Sequence, residues 1–255
     1  MKVRFLGTGT STGNPEIGCR CEVCTSTDEK DRRFRSSILI EIDGKHILID
    51  CGPDFRMQIL EVFKTDSFEK WDGVLITHEH YDHVGGLDDL RPFCRNEAVD
   101  IYAEDYVVRT IKSRISYVFE EHKYPGLPNI RISPVPNKSF SIKGIEINPV
   151  RLMHGKLPIF GYRIGKLAYL TDLKTIPDEE YAKLEDLEVL IINALRESEH
   201  ISHETIDDAL KNIERIKPAR AYLTHVSHHF GLHEKRQKML PDHVFIAYDG
   251  LEIYV

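Results

Sequence analysis

The sequence predicts an α/β fold, one domain of helix-covered sheets built from two related halves, and three observations carry that prediction. Short apolar runs of strand length meet at the turn pairs Asp43-Gly44, Lys143-Gly144 and Gly165-Lys166. Helical patterns alternate with further strands, which puts helices on the sheet faces. The halves echo each other. Gly44-Lys45-His46-Ile47-Leu48-Ile49-Asp50 resembles Gly165-Lys166-Leu167-Ala168-Tyr169-Leu170-Thr171-Asp172, and Leu75-Ile76-Thr77-His78 resembles Tyr222-Leu223-Thr224-His225. Each half offers a hairpin ending in Asp and a later strand ending in Thr-His, and halves that face each other bring these ends to one place.

The elements follow in order. Met1-Lys2-Val3-Arg4-Phe5-Leu6-Gly7 reads as a strand with no apolar signal core before it. Residues 36–50 form a hairpin around Asp43-Gly44, and Pro53, suited to a first helical turn, opens a helix through Lys64. Gly73-Val74-Leu75-Ile76-Thr77 is too short for a helix and reads as a buried strand that delivers a histidine cluster in the loop after it. Helices are expected at 86–96 and 104–120, then proline-rich loops at 125–136. A strand series follows, with Asp172 at the end of Leu167-Ala168-Tyr169-Leu170-Thr171. A strand at 187–194, a helix at 204–216, a strand at 219–224 and a final hairpin around Asp249-Gly250 complete the reading. No linker-like stretch separates the halves.

Composition narrows the class. With 41% hydrophobic and 29% charged residues among 255, the chain is of ordinary globular type, and no run is long enough to span a bilayer. A net charge of -7 argues against the broad basic surface that nucleic acid requires. Three of the five cysteines crowd into Cys19-Arg20-Cys21-Glu22-Val23-Cys24, unlike the spread framework of a secreted scaffold, so a reducing, cytoplasmic compartment is expected.

The chemistry concentrates in His78-Glu79-His80-Tyr81-Asp82-His83, where His78, His80, Asp82 and His83 are four candidate metal ligands within six residues. Alternate residues of an extended segment point the same way, so His78 and His80 can serve one ion while the chain curls to offer Asp82 and His83 to a second. Imidazole and carboxylate suit zinc, manganese or iron. His154, Asp172 and His225 are further ligands of suitable type. Asp50 is read as orienting a ligand histidine through its other ring nitrogen, or else as a turn carboxylate before Pro53.

A His-x-His-x-Asp-His motif after an apolar strand, then a lone His, a strand-end Asp and a late His, resembles the metallo-β-lactamase superfamily over essentially the whole chain. The resemblance implies a two-metal hydrolase with an αββα four-layer sandwich, its site at one edge between the two sheets. It implies that His78, His80 and His154 hold the first ion and Asp82, His83 and His225 the second, with Asp172 bridging.

Cys19, Cys21 and Cys24 lie too close together for all three to form disulfides with one another, while three thiolates and one imidazole make a closed zinc site. The fourth ligand falls in or near Thr224-His225-Val226-Ser227-His228-His229; His228 is the choice, with His229 and His233 as alternatives. An N-terminal Cys-x-Cys-x-x-Cys with a C-terminal Leu-Thr-His-x-Ser-His resembles the phosphoribosyl cyclic phosphodiesterase family of phosphonate breakdown. That resemblance implies manganese or zinc at a dinuclear site, a separate structural zinc, and opening of a 1,2-cyclic phosphate on ribose. It extends to His203, 22 residues before His225. The same region resembles tRNA 3′-processing endonucleases, but no basic arm-like insertion is present. The cysteine knuckle is also similar to that of the pyrroloquinoline quinone biosynthesis protein, a relative that offers a non-catalytic, metal-dependent binding role. A flavodiiron-type redox role would replace the second His of the motif with Glu, and His80 stands there.

The expected reaction is hydrolysis of a small phosphodiester by a hydroxide shared between the ions, with Asp82 and His203 as catalytic residues. His203 would protonate the leaving alkoxide, since an unperturbed imidazole titrates near working pH. Arg91 is the candidate phosphate clamp, because guanidinium matches phosphate bidentately. Tyr81 and Phe160 are candidate pocket walls, and loops 119–136 and 154–161 would shape the pocket. The expected partners are the small phosphodiester and a second copy of the chain, with no membrane.

Overall fold

The computed structural model describes residues 1–120 and 126–255, in which two seven-stranded sheets pack face to face. The first holds β1 (Lys2–Gly7), β2 (Ser37–Ile42), β3 (Lys45–Ile49), β4 (Gly73–Leu75), β5 (Val99–Ala103) and β6 (Ile130–Pro134). The second holds β7 (Phe140–Ile142), β8 (Ile145–His154), β9 (Leu157–Ile164), β10 (Leu167–Leu170), β11 (Val189–Asn193), β12 (Arg220–Thr224) and β13 (Val244–Ile246). The last strand, β14 (Glu252–Tyr254), returns to the first sheet and pairs with β1. Each sheet changes character halfway. Strands β1 to β3 are antiparallel and β3 to β6 parallel, while β7 to β10 are antiparallel and β10 to β13 parallel.

Alternation along the strands makes the layers. Ile38 and Ile40 of β2 and Ile47 and Ile49 of β3 point inward, meeting Phe160, Tyr162, Tyr169 and Ile191 of the second sheet in one shared core. Leu39 and Leu48, one residue out of phase, face outward under the helices α1 (Phe55–Val62) and α3 (Asp105–Arg114). On the far side Leu170, Leu190, Ile192 and Leu223 pack against α4 (Ile206–Ile216), which starts with a capping box at Thr205 and Asp208. Three stacked cores between four layers give the αββα sandwich expected above. No helix among the described residues is long and apolar enough to cross a membrane.

The structure departs from the sequence reading in four places. The segment expected as a helix at 86–96 is a 3-10 run, Leu87–Cys94, with Pro92 inside it, where no N–H is available for an α-helical bond. The helix expected at 104–120 is broken at Ile115, and a short 3-10 turn Ser116–Val118 follows. Part of the expected 125–136 loop is β6, an edge strand in which Ile130 and Ile132 pack into the outer core beneath the helices and Pro134 is tolerated because one side of the strand is unpaired. Asp249-Gly250 is a turn but not a hairpin, since β13 and β14 belong to different sheets. Residues 121–125, part of a loop expected to shape the pocket, lie outside the described residues.

Candidate active site

The parallel strands of both halves end at one edge of the sandwich, and the candidate residues sit just beyond those ends. Asp50 after β3, Asp172 after β10 and His225 after β12 all adopt left-handed backbone, with φ of 65°, 58° and 55°. Non-glycine residues rarely hold this conformation, and it aims the three side chains at a common space. The motif residues Tyr81–Val84 form the single-turn helix α2, held against the end of β3 by Cys51 N–H to His83 O (2.8 Å) and Gly86 N–H to Cys51 O (2.9 Å). Gly52 permits this approach, since a Cβ there would stand 2.0 Å from the Asp82 carbonyl oxygen.

Two groups of donors result. In the first, one ligand atom each of His78, His80 and His154 lies within 4.8 Å of the others, and His78 Nε2 is 3.0 Å from His80 Nδ1. In the second, Asp82, His83, Asp172 and His225 converge in the same way and are all buried. Asp172 touches both groups: Oδ2 is 3.1 Å from His83 Nε2, and Oδ1 is 3.1 Å from His225 Nε2 and 4.0 Å from His78 Nε2. The structure thus brings together all seven residues expected as ligands.

The electrostatics ask for cations. Burial opposes charge on His83, yet the carboxylates of Asp172, Asp82 and Asp50 together raise its pKa well above the ordinary value. His225 is likewise raised to about 9 against burial, by Asp172 and Asp82. Conversely, burial and the neighbouring His83 push His78 well below the ordinary value, so it is neutral and ready to ligate. His83 Nε2 and both ring nitrogens of His225 have no hydrogen-bond partner among the described residues, although Nε2 of each lies 3.1 Å from a carboxylate oxygen. Nitrogens and oxygens that crowd together without hydrogen-bonding one another, in a buried site rich in carboxylate, fit two divalent ions.

The groups behind these residues fix ring orientation. His83 Nδ1 donates to Asp50 Oδ2 at 2.7 Å. Thr77 donates to Asp50 through both its N–H (2.9 Å) and its hydroxyl, and its oxygen lies 3.0 Å from His78 Nδ1. One buried carboxylate thereby turns two histidines toward the site. His154 Nδ1 donates to the Ser202 carbonyl at 2.9 Å. The repeated Thr-His at a strand end is a signal for Thr77, whereas a carbonyl such as that of Ser202 has no side-chain signature.

His203 lies with the cluster, Nε2 being 3.2 Å from Asp172 Oδ1 and the ring stacked on His225 at 4.9 Å. Burial lowers its pKa to about 4 against the bond to Asp172, so the neutral ring is the resting form at pH 7, not the half-titrated imidazole expected from sequence. Arg91 is exposed and donates to Asp88, three residues earlier, which leaves its guanidinium turned to a carboxylate. Phe160 is fully buried between the sheets beneath the Arg151 guanidinium and so is no pocket wall, while Tyr81 is 67% exposed beside the motif.

A separate cluster stands near the N-terminal loop. Ligand atoms of Cys19, Cys21, Cys24 and His228 lie within 4.8 Å of one another, with Cys19 Sγ 3.2 Å and Cys21 Sγ 3.4 Å from His228 Nδ1. Against the effect of burial, the Cys24 N–H and His228 draw the Cys21 thiol down to about 6. His229 lies tilted against His228 outside the cluster, and His233 faces Arg33 at 3.1 Å. Three thiols and one imidazole fit a closed tetrahedral zinc site.

Comparison with known proteins agrees with this fold. A family model described as a beta-lactamase superfamily domain matches residues 45–226. The chain belongs to the metallo-β-lactamase superfamily, whose fold and site are those of metal-dependent hydrolases. Within it the chain lies with the PhnP family: a crystal structure of a diphosphatase from that family is 37% identical, with a TM-score of 0.92 over 100% of this chain and 97% of that one. A Porphyromonas gingivalis protein named octanoyltransferase is 47% identical over the whole of this chain. The chain spans about half the length of the first curated relatives it matches, 52% of that protein, so the name describes a much longer chain. Zinc-bound PqqB of Methylobacterium extorquens, 18% identical and covering both chains in full at a TM-score of 0.81, shares the fold.

Proposed function

We propose that the chain is a two-metal phosphodiesterase acting on a small, cyclic ribose or nucleotide-like phosphodiester. The observation that carries this reading is the triad of contacts at Asp172, which stands between the two donor groups with His203 at 3.2 Å from its Oδ1. Two ions held there would acidify a water and neutralise charge on the phosphoryl oxygens.

The residues have distinct tasks. His78, His80 and His154 would hold one ion, Asp82, His83 and His225 the other, and Asp172 both. Asp50 keeps His83 in the tautomer that presents Nε2. Hydrolysis forms one P–O bond from water and breaks another, and the departing oxygen needs a proton. A phosphodiester anion beside His203 favours its protonated form, and the imidazolium then supplies that proton from Nε2. The net charge of -7 supports a small substrate over tRNA, and a separate zinc in the cysteine cluster would pin the N-terminal loop to the segment after His225. A second reading, cleavage of a diphosphate, is favoured by what the 37% identical structure is said to act on.

Manganese-loaded protein should be assayed on a chromogenic phosphodiester, a cyclic ribose phosphate, a nucleoside diphosphate, a thioester and a lactam. Turnover of the diesters is expected. Cleavage of the diphosphate alone transfers the assignment to the second reading; thioester or lactam hydrolysis without either overturns both. His203→Ala should lower kcat by about 100-fold while two active-site ions stay bound.

A further inference from the structure

We infer that Asn193 is a positioning residue that fixes Asp172 and His203 relative to each other. Asn193 ends β11, is fully buried, and lies between the ends of β10 and β12, opposite Thr224 in the ladder. The chain leaves the sheet after Leu170 and turns at left-handed Asp172, so the backbone of Leu173 has no strand partner at that point. The side-chain amide of Asn193 takes the partner's place. Its Oδ1 accepts from Leu173 N–H at 2.7 Å and its Nδ2 donates to Leu173 C=O at 3.2 Å. A planar group with one donor and one acceptor side by side pairs with a single residue's N–H and C=O, which neither a carboxylate nor a hydroxyl can reproduce.

The same carbonyl serves a second segment. Leu173 O also accepts from Glu204 N–H at 2.9 Å, and Glu204 O accepts from Leu195 N–H at 3.1 Å. Asp172 and His203 therefore each sit one residue away from backbone held at this node. Asn193 touches neither the donor atoms of the site nor a reacting atom; it acts through Leu173 and Glu204. The inference rests on the reading of Asp172 as a carboxylate shared by two ions.

Asn193→Leu, of similar size and without the amide, tests this. With manganese alone as probe, calorimetry should show active-site affinity reduced about tenfold or more, at the magnitude usual for residues that orient ligands. On the chromogenic diester kcat should fall by a similar factor with KM within about twofold. A folded variant with wild-type manganese affinity overturns the proposal, as does one whose only change is a lower melting temperature. Amide exchange in the unmodified protein gives a test that needs no variant: protection of Leu173 and Glu204 should rise together on manganese addition, and unchanged protection of either overturns the coupling. Metal binding is read without substrate, so failure to hydrolyse phosphodiesters would sink the proposed function and leave this test standing.

Discussion

Asp50 and His83 meet at 2.7 Å with both side chains fully buried, and the same carboxylate reaches His78 through the Thr77 hydroxyl. Asp50→Ala should therefore weaken metal binding about 10- to 100-fold, since both rings lose their restraint. Titration of manganese into metal-free variant and parent checks this; equal affinities would reduce Asp50 to a turn residue.

Loss of one thiol should empty one metal site and leave the others. In Cys21→Ser, elemental analysis is expected to find one zinc fewer per chain, with manganese binding retained, and the melting temperature lowered by roughly 5 °C. Loss of all metals at once would show that the cysteine cluster and the active site do not load independently.

Stability should fall with rising pH through Glu204. Burial, together with the charge of Asp208, raises its carboxyl to about 9, although Asn212 donates to Oε1; Oε2 has no hydrogen-bond partner among the described residues. A carboxyl raised in the folded state takes up a proton that the unfolded chain does not hold. Its contribution is complete below the ordinary carboxylate range and is lost as pH climbs through about 9. Glu204→Gln keeps an acceptor for Asn212 and removes the titration. Metal-free variant should melt roughly 5 °C or more above the parent at pH 9 and close to it at pH 5.

Arg91→Ala should change KM for the diester by less than about twofold, because Asp88 already engages the guanidinium at the surface and such pairs contribute little. A tenfold rise in KM would restore the clamp role and imply that substrate displaces Asp88.

Much of the site was legible because parallel strands place polar residues abruptly after apolar runs. Asp50 follows Ile47-Leu48-Ile49, and His225 follows Tyr222-Leu223-Thr224, so type and position could be read together. Asn193 ends a run of the same kind, Val189–Ile192, but its partner is backbone, and backbone pairing leaves no mark on composition. The edge strand β6 was hidden by Pro128, Pro134 and Pro136, which punctuate loops and unpaired strand edges alike. The neutrality of His203 was beyond reach, since it depends on burial that spacing does not reveal. Arg91 carried the right chemistry at the right distance in sequence, and only the side-chain direction showed Asp88 as its partner.

The pairing of β14 with β1 sets an order of events during synthesis. Lys2 stands opposite Tyr254 in the ladder, and β14 leaves directly from β13 in the opposite sheet. Strand β1 therefore waits for β14, its outer edge bare until the second sheet has assembled. Contacts this distant along the chain slow folding, and a bare edge invites pairing between nascent chains. Refolding from denaturant should accordingly be slow and limited by protein concentration, with yield rising on dilution.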